Sequence, residues 1–127
     1  MKIPTILLVD DEAGLRDNIK NYVEPRMKCV VVEAGSAEKA INFIKNNPCD
    51  IMVLDIRMPG GSGVEVLDVA KGLPIATIVF TGWDSDQVYN QCKERGVKAY
   101  IPKTDSIKVI GDSIIKELKE KKLYHKA

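Results

Sequence analysis

Four short groups of residues carry chemistry in this chain: Asp10-Asp11-Glu12, Asp55, Thr81 and Lys103. Each follows a short apolar or β-branched run: Thr5-Ile6-Leu7-Leu8-Val9, Ile51-Met52-Val53-Leu54, residues 75–80, and Ala99-Tyr100-Ile101-Pro102. Such runs read as strands covered on both faces, as in a parallel sheet. Parallel strands place all their carboxyl ends on one edge, where ligands bind in open α/β sheets. Gathered there, Asp10, Asp11 and Asp55 would repel and raise one another's pKa values. A hard divalent cation removes that conflict, and carboxylates with water suit Mg²⁺. Lys103 adds a positive charge and Thr81 a hydroxyl donor. Metal, ammonium and hydroxyl around one carboxylate form a site for a phosphoryl group, with the cations neutralising charge on the transferring oxygens. Asp55 is left as nucleophile and acyl-phosphate carrier.

The rest of the chain supplies the elements that bring these groups together. After Asp55 the sequence runs Ile-Arg-Met58-Pro59-Gly60-Gly61-Ser62-Gly63. Proline removes a donor and glycine permits positive φ, so this stretch reads as a loop of fixed shape. Leu15, Ile19, Tyr22 and Val23 repeat at helical spacing after the first strand, and Pro25 stops that helix. Cys29-Val30-Val31-Val32 is strand-like. Ser36 is a candidate N-cap for a second helix with Ala37, Ala40, Ile41 and Ile44 on one face. Val64, Leu67 and Ala70 mark a third helix, and Val88 and Cys92 a fourth. Gly96 is a C-cap signal just past the fourth helix. Pro102 confines the last strand to an edge. Ile107, Ile110, Ile114 and Leu118 mark a fifth helix, weakened at Gly111 by up to about 1 kcal/mol. Residues 119–127 are charged and are expected to fray, with His125 solvated. Five strands alternating with five helices predict an α/β fold: a doubly wound five-stranded parallel sheet with helices on both faces.

Composition bounds the function. The 127 residues suit one domain, expected over 1–123 with a tail at 124–127. Lys and Arg number 19 against 18 Asp and Glu, so the net charge of +1 gives no global drive toward nucleic acid or membrane surfaces. No apolar run reaches the roughly 20 residues of a membrane helix. The N-terminus has no signal-peptide pattern. Cys29, Cys49 and Cys92 are odd in number and lack CxxC spacing, so they read as reduced thiols of a cytoplasmic protein.

The chain resembles the receiver domain of response regulators, the phosphoacceptor half of two-component signalling, from Thr5 to about Leu118. Leu-Leu-Val-Asp10-Asp11-Glu is similar to the family's acidic pair after strand one. Asp55-Ile-Arg-Met-Pro-Gly-Gly-Ser-Gly resembles its phosphoacceptor strand and loop. Phe80-Thr81-Gly82 resembles the switch hydroxyl with its small neighbour, and Ala-Tyr100-Ile-Pro-Lys103 the aromatic switch and lysine.

The resemblance implies a flavodoxin-like three-layer sandwich of strand order 2-1-3-4-5. It implies phosphorylation at Asp55. Asp11 and Asp55 would bind Mg²⁺ directly, Asp10 largely through water, and the Arg57 main-chain carbonyl would complete the protein ligands. Thr81 and Lys103 would contact phosphoryl oxygens, and Tyr100 would move inward as Thr81 shifts. The donor would be a phosphohistidine on a sensor histidine kinase or phosphotransfer protein. The receiver would catalyse the transfer and its own slow dephosphorylation without being a conventional enzyme. Its output would pass through the fourth helix, fifth strand and fifth helix to a downstream protein, a linked output domain or a phosphorylation-dependent dimer. Residues after 123 are too few for an output domain, so the chain reads as a stand-alone receiver or the receiver part of a longer regulator. Direct nucleic-acid or membrane contact is not expected.

Two features depart from or add to the family pattern. Thr104 stands where the family often has proline after the lysine. Arg57 and Trp83, two residues beyond Asp55 and Thr81, are placed to flank the entrance. Two rival readings fit less well. A flavodoxin-like redox protein needs a Ser/Thr/Gly-rich phosphate loop where Asp10-Asp11-Glu12 stands. An aspartyl-nucleophile phosphatase would usually carry a second acid where Arg57 stands.

Overall fold

A computed structural model describes residues 2–58, 61–82 and 85–127. The apolar runs form β1 (Thr5–Val9), β2 (Val30–Ala34), β3 (Ile51–Leu54), β6 (Ala76–Thr81) and β7 (Ala99–Pro102). The helical patterns form α1 (Ala13–Val23), α2 (Ala37–Asn46), α3 (Gly63–Ala70), α4 (Asp86–Glu94) and α5 (Ile107–Glu120). A two-residue ribbon, β4 (Arg57–Met58) paired antiparallel with β5 (Gly61–Ser62), follows β3. The main sheet has the order β2-β1-β3-β6-β7, parallel throughout. Counting its five strands in chain order, this is the expected 2-1-3-4-5.

Alternation along each strand divides the core. Leu7, Val9, Met52, Leu54 and Val79 face Ala40 and Ile44 of α2, Val66 and Leu67 of α3, and Val88 and Cys92 of α4. Ile6, Leu8, Val53, Ile78 and Phe80 face Ile19 and Val23 of α1 and Ile110, Ile114 and Leu118 of α5. Period-2 side chains on doubly covered strands require both faces to be apolar, which is why the runs are continuous rather than alternating. The chain leaves β1 toward β2 on one side and reaches β3 on the other. The gap between their carboxyl ends is the topological switch point.

Serine caps start four of the helices. Ser36, Ser62, Ser85 and Ser106 accept from the main-chain N–H of Lys39, Val64, Val88 and Val109. Ser36 is the one foreseen from sequence. Gly96 ends α4 with φ of 73°, as its position predicts.

Three expectations are corrected. The stretch after Asp55 is not all loop: Arg57 pairs with Ser62 and Met58 with Gly61. Pro59 and Gly60 lie outside the described residues. Gly111 is more than a weak point in α5, because a Cβ there would enter the Tyr22 ring of α1. Its missing side chain lets the two helices approach.

The C-terminal residues do not fray. Lys122 takes φ of 60°, and Lys122 and Leu123 donate back to the carbonyls of Lys119 and Leu118 in a Schellman-type stop. Leu123 and Tyr124 then pack on the α1/α5 side of the core. The His125 carbonyl accepts from the Lys28 N–H at 2.8 Å, and Lys126 bridges to Met27. Two apolar anchors outweigh the charges around them.

Candidate functional site

Four strand ends meet at the switch point. β3 ends beneath Asp55, whose N–H donates to the Val9 carbonyl at 3.0 Å, locking it beside the end of β1. The Asp10 N–H donates to the Ala34 carbonyl at 3.1 Å, so the first acid is held by both neighbouring strands. Thr81 is the last residue of β6 and pairs with Pro102 of β7. The Lys103 N–H donates to the Thr81 carbonyl, which aims the lysine along the same edge. The peptide bond to Thr104 is trans, as expected for a non-proline bond.

The start of α3 presses against the same edge. A Cβ on Gly63 would lie 2.5 Å from the Ile56 Cα and 3.0 Å from the Asp55 carbonyl oxygen. Only glycine allows that approach. The glycine-rich sequence after Asp55 therefore has a packing role as well as a turning one.

The side chains converge. Asp55 is 4% exposed. Its Oδ1 accepts from the Thr81 hydroxyl at 2.8 Å and from the Arg57 N–H at 3.1 Å, and its Oδ2 accepts from Lys103 Nζ at 2.8 Å. Lys103 also pairs with Asp10 Oδ2 at 2.8 Å and Glu12 Oε1 at 3.4 Å. Asp10 Oδ1 accepts from the Glu12 N–H at 2.9 Å. Carboxylate oxygens of Asp10, Asp11 and Asp55 lie within 4.8 Å of one another. Above them opens a cleft of about 510 Å³, with Asp11, Glu12, Asp55, Arg57, Gly82 and Lys103 in its lining.

The charges do not balance. Burial raises the Asp10 pKa, and the bonds from Lys103 and the Glu12 amide only partly oppose it. For Lys103 burial acts to lower the pKa, but the bonds to Asp10 and Asp55 outweigh it and hold the ammonium well above its ordinary value. Among the described residues, Lys103 and the Arg57 guanidinium face four carboxylates, so the pocket stays net negative. Its donors are hard oxygens, two of the three aspartates buried and one exposed. That is the donor set a small divalent cation takes, with water completing its shell. The residues present fit Mg²⁺.

The structure thus brings Asp10, Asp11, Asp55, Thr81 and Lys103 into one site and sets Arg57 in its lining. Trp83 lies outside the described residues. Tyr100 lies three residues before Lys103, half-buried on β7, its ring edge-to-face with Tyr89 of α4 at 5.3 Å between centroids. Among the cysteines, burial raises the Cys92 thiol and pushes Cys49 up to about 11, so neither is a thiolate at neutral pH.

Sequence reasoning missed Arg16. Its Nη1 donates to the Asp10 carbonyl at 2.5 Å and its Nε to Glu33 of β2 at 3.0 Å. It clamps the acidic loop to the neighbouring strand. The available signal was a lone cation one and a half helical turns after Asp10.

Residues 6–123 match the family described as the response regulator receiver domain. The chain belongs to that family, whose members are phosphoacceptor signalling switches. It is 39% identical over 80 residues to the transcriptional regulatory protein YvrH of Bacillus subtilis, covering 63% of this chain and 34% of that protein. It is 32% identical over 102 residues to the nitrate/nitrite response regulator NarL of Escherichia coli, covering 78% of this chain and 47% of that protein. The chain thus spans from about a third to about half of the length of these relatives. A solved CheY-like receiver domain from Methanospirillum hungatei superposes with a TM-score of 0.86 at 26% identity, covering 95% of this chain and 98% of that one. Among the described residues, no helix is long and apolar enough to cross a membrane.

Proposed function

We propose that Asp55 is the phosphoacceptor and that a sensor histidine kinase, or a phosphotransfer protein, is the donor. The observation that carries this is the Asp55 carboxylate itself. It is buried at the foot of an open cleft, held by Thr81 and Lys103, and within 4.8 Å of two further aspartates. Asp10, Asp11, Asp55 and the Arg57 carbonyl would hold Mg²⁺. When bound, Mg²⁺ supplies a hard positive charge against the phosphoryl oxygens.

In the transfer, an Asp55 carboxylate oxygen forms a bond to phosphorus as the P–N bond of a phosphohistidine breaks. The electron pair leaves with the imidazole nitrogen, which takes up a proton. The Asp55 carboxylate loses its charge on phosphorylation, and the phosphoryl oxygens become the stronger acceptors. Lys103 Nζ and the Thr81 hydroxyl, now bound to Asp55, follow the charge outward. Their positioning before the reaction removes reorganisation from the step. The protein thereby promotes its own phosphorylation and, with water as acceptor, its own slow dephosphorylation. Arg57 and Trp83 are assigned to the entrance, where side-chain bulk hinders attacking water.

Movement of Thr81 frees space beside β6 into which Tyr100 rotates, altering the α4–β7–α5 surface. A downstream protein, a linked output domain or a second phosphorylated copy would read that surface, each biasing the switch only by its differential affinity for the two states.

The test is phosphorylation by acetyl phosphate or phosphoramidate with Mg²⁺, read by intact mass. One phosphoryl group is expected on the wild type and none on Asp55→Asn. Full modification of that variant would remove Asp55 from the role.

A further inference from the structure

Tyr89 sits on α4 one residue beyond Val88, which is buried against the sheet, and is itself 45% exposed. Its ring meets Tyr100 at an interplanar angle of 80°. Edge-to-face geometry of this kind sets the positive ring edge against the negative face and is specific in direction. The contact joins a helix to an edge strand. On one side of it lies a depression of about 680 Å³, lined in part by Thr81, Ser85, Asp86 and Pro102. On the other lies a smaller one of about 230 Å³, lined in part by Lys93 and Val97. Tyr89 and Tyr100 line both, so the ring pair is the wall between them.

The state in which the rings touch is also defined. The Thr81 hydroxyl donates to Asp55 at 2.8 Å in the same structure. The edge-to-face pair therefore accompanies the unphosphorylated arrangement, before Thr81 follows a phosphoryl group outward and Tyr100 rotates. We infer that Tyr89 is a positioning residue for Tyr100, holding it in the arrangement that precedes phosphoryl transfer and so setting how strongly the switch resists a phosphoryl group. This rests on the reading above that Tyr100 moves with Thr81. Tyr89 is not among the residues lining the cleft over Asp55.

The experiment titrates beryllofluoride, a non-covalent phosphoryl mimic, with Mg²⁺ into the full chain. NMR follows the Tyr100 ring and the Thr81 amide. Tyr89→Ala is expected to tighten beryllofluoride binding about two- to tenfold, the worth of one aromatic pair. It should also displace the Tyr100 ring signals before any addition. Tyr89→Phe, which keeps the ring, should restore both. Tyr89→Leu, which keeps a helix-forming apolar side chain, should behave as Tyr89→Ala. Wild-type affinity with unmoved Tyr100 signals in either the alanine or the leucine variant overturns the inference, and so does weaker binding in either. A separate outcome addresses the underlying reading. If beryllofluoride leaves the Tyr100 ring unmoved in the wild type, the coupling of Tyr100 to Thr81 fails and this inference falls with it.

Discussion

Asp10→Asn should make the metal-free protein more stable, although it removes a buried ion-pair partner. Asp10 lies 2.8 Å from Lys103 Nζ and has Asp11 and Asp55 oxygens within 4.8 Å. At an effective dielectric of about 20, the lysine attracts it by about 6 kcal/mol and Asp55 repels it by at least about 3.5 kcal/mol. Asp11 is exposed, so solvent reduces its share, but its sign is the same. The charges nearly cancel, and desolvation of the buried carboxylate decides the outcome. Burial is also the largest influence raising the Asp10 pKa. Asparagine keeps an oxygen for the Glu12 N–H, and Lys103 keeps Asp55 and Glu12. A gain of about 1–2 kcal/mol is expected, which is roughly 3–8 °C in melting temperature for a domain of this size.

Two further measurements fix the cause. The folded-state pKa of Asp10 is raised, so the folded protein binds this proton more tightly than the unfolded chain does. Wild-type stability therefore falls as pH rises from the ordinary aspartate value through the raised one, and levels off above it. The advantage of the variant should be full at neutral pH and should close on acidification through that window. Excess Mg²⁺ should reverse the order. Ligand at a hundredfold its dissociation constant adds about 2.7 kcal/mol to a protein that binds it when folded, and the variant has lost one of the three carboxylates. Thermal melts with chelator, with Mg²⁺ and across pH supply all three readings. A variant less stable than the wild type in chelator at neutral pH would refute the reasoning, because pairing with Lys103 would then outweigh desolvation.

Lys103→Met should slow phosphorylation by acetyl phosphate by at least tenfold while Mg²⁺ still binds, since it removes a phosphoryl-facing cation but no metal ligand; a wild-type rate would take Lys103 out of the transfer. Arg16→Ala should weaken Mg²⁺ binding severalfold and move the Asp10–Glu12 amide signals, because the Asp10 carbonyl loses its clamp to Glu33; unchanged affinity would make Arg16 a surface residue only. Gly111→Ala should destabilise the protein by about 1–3 kcal/mol in urea unfolding, since overpacking against Tyr22 exceeds the helix-propensity gain of about 1 kcal/mol. Deleting residues 123–127 should lower the melting temperature and expose Met27 to oxidation, as Leu123, Tyr124 and the Lys126 bridge are lost; an unchanged melting temperature would show that the docked tail contributes nothing.

Much of this protein is legible along the chain because its signals are local. The continuous apolar runs of β1, β3 and β6 announce strands buried on both faces, and each ends in the residue that carries chemistry. Repulsion among Asp10, Asp11 and Asp55 follows from their charges once those strands are parallel. The alternation of strands and helices then leaves few arrangements open. Ser36 and Gly96 could be read as caps because capping depends only on residues within three or four positions along the chain.

What the tertiary structure decided involves partners far apart in sequence. Lys103 meets Asp55 across 48 residues and Glu12 across 91, and no pattern along the chain shows that one ammonium bridges three carboxylates. Gly111 reads as a flaw in α5 until Tyr22 of α1 occupies the space a side chain would need. The charged tail reads as frayed until Leu123 and Tyr124 pack on the α1/α5 side of the core and Lys126 bridges to Met27. Arg16 is one of two cations in eleven helical residues until its fork joins the Asp10 carbonyl to Glu33 of β2. Local periodicity determines which elements form and which face each buries. Which side chains then touch depends on shapes that exist only after the layers have packed.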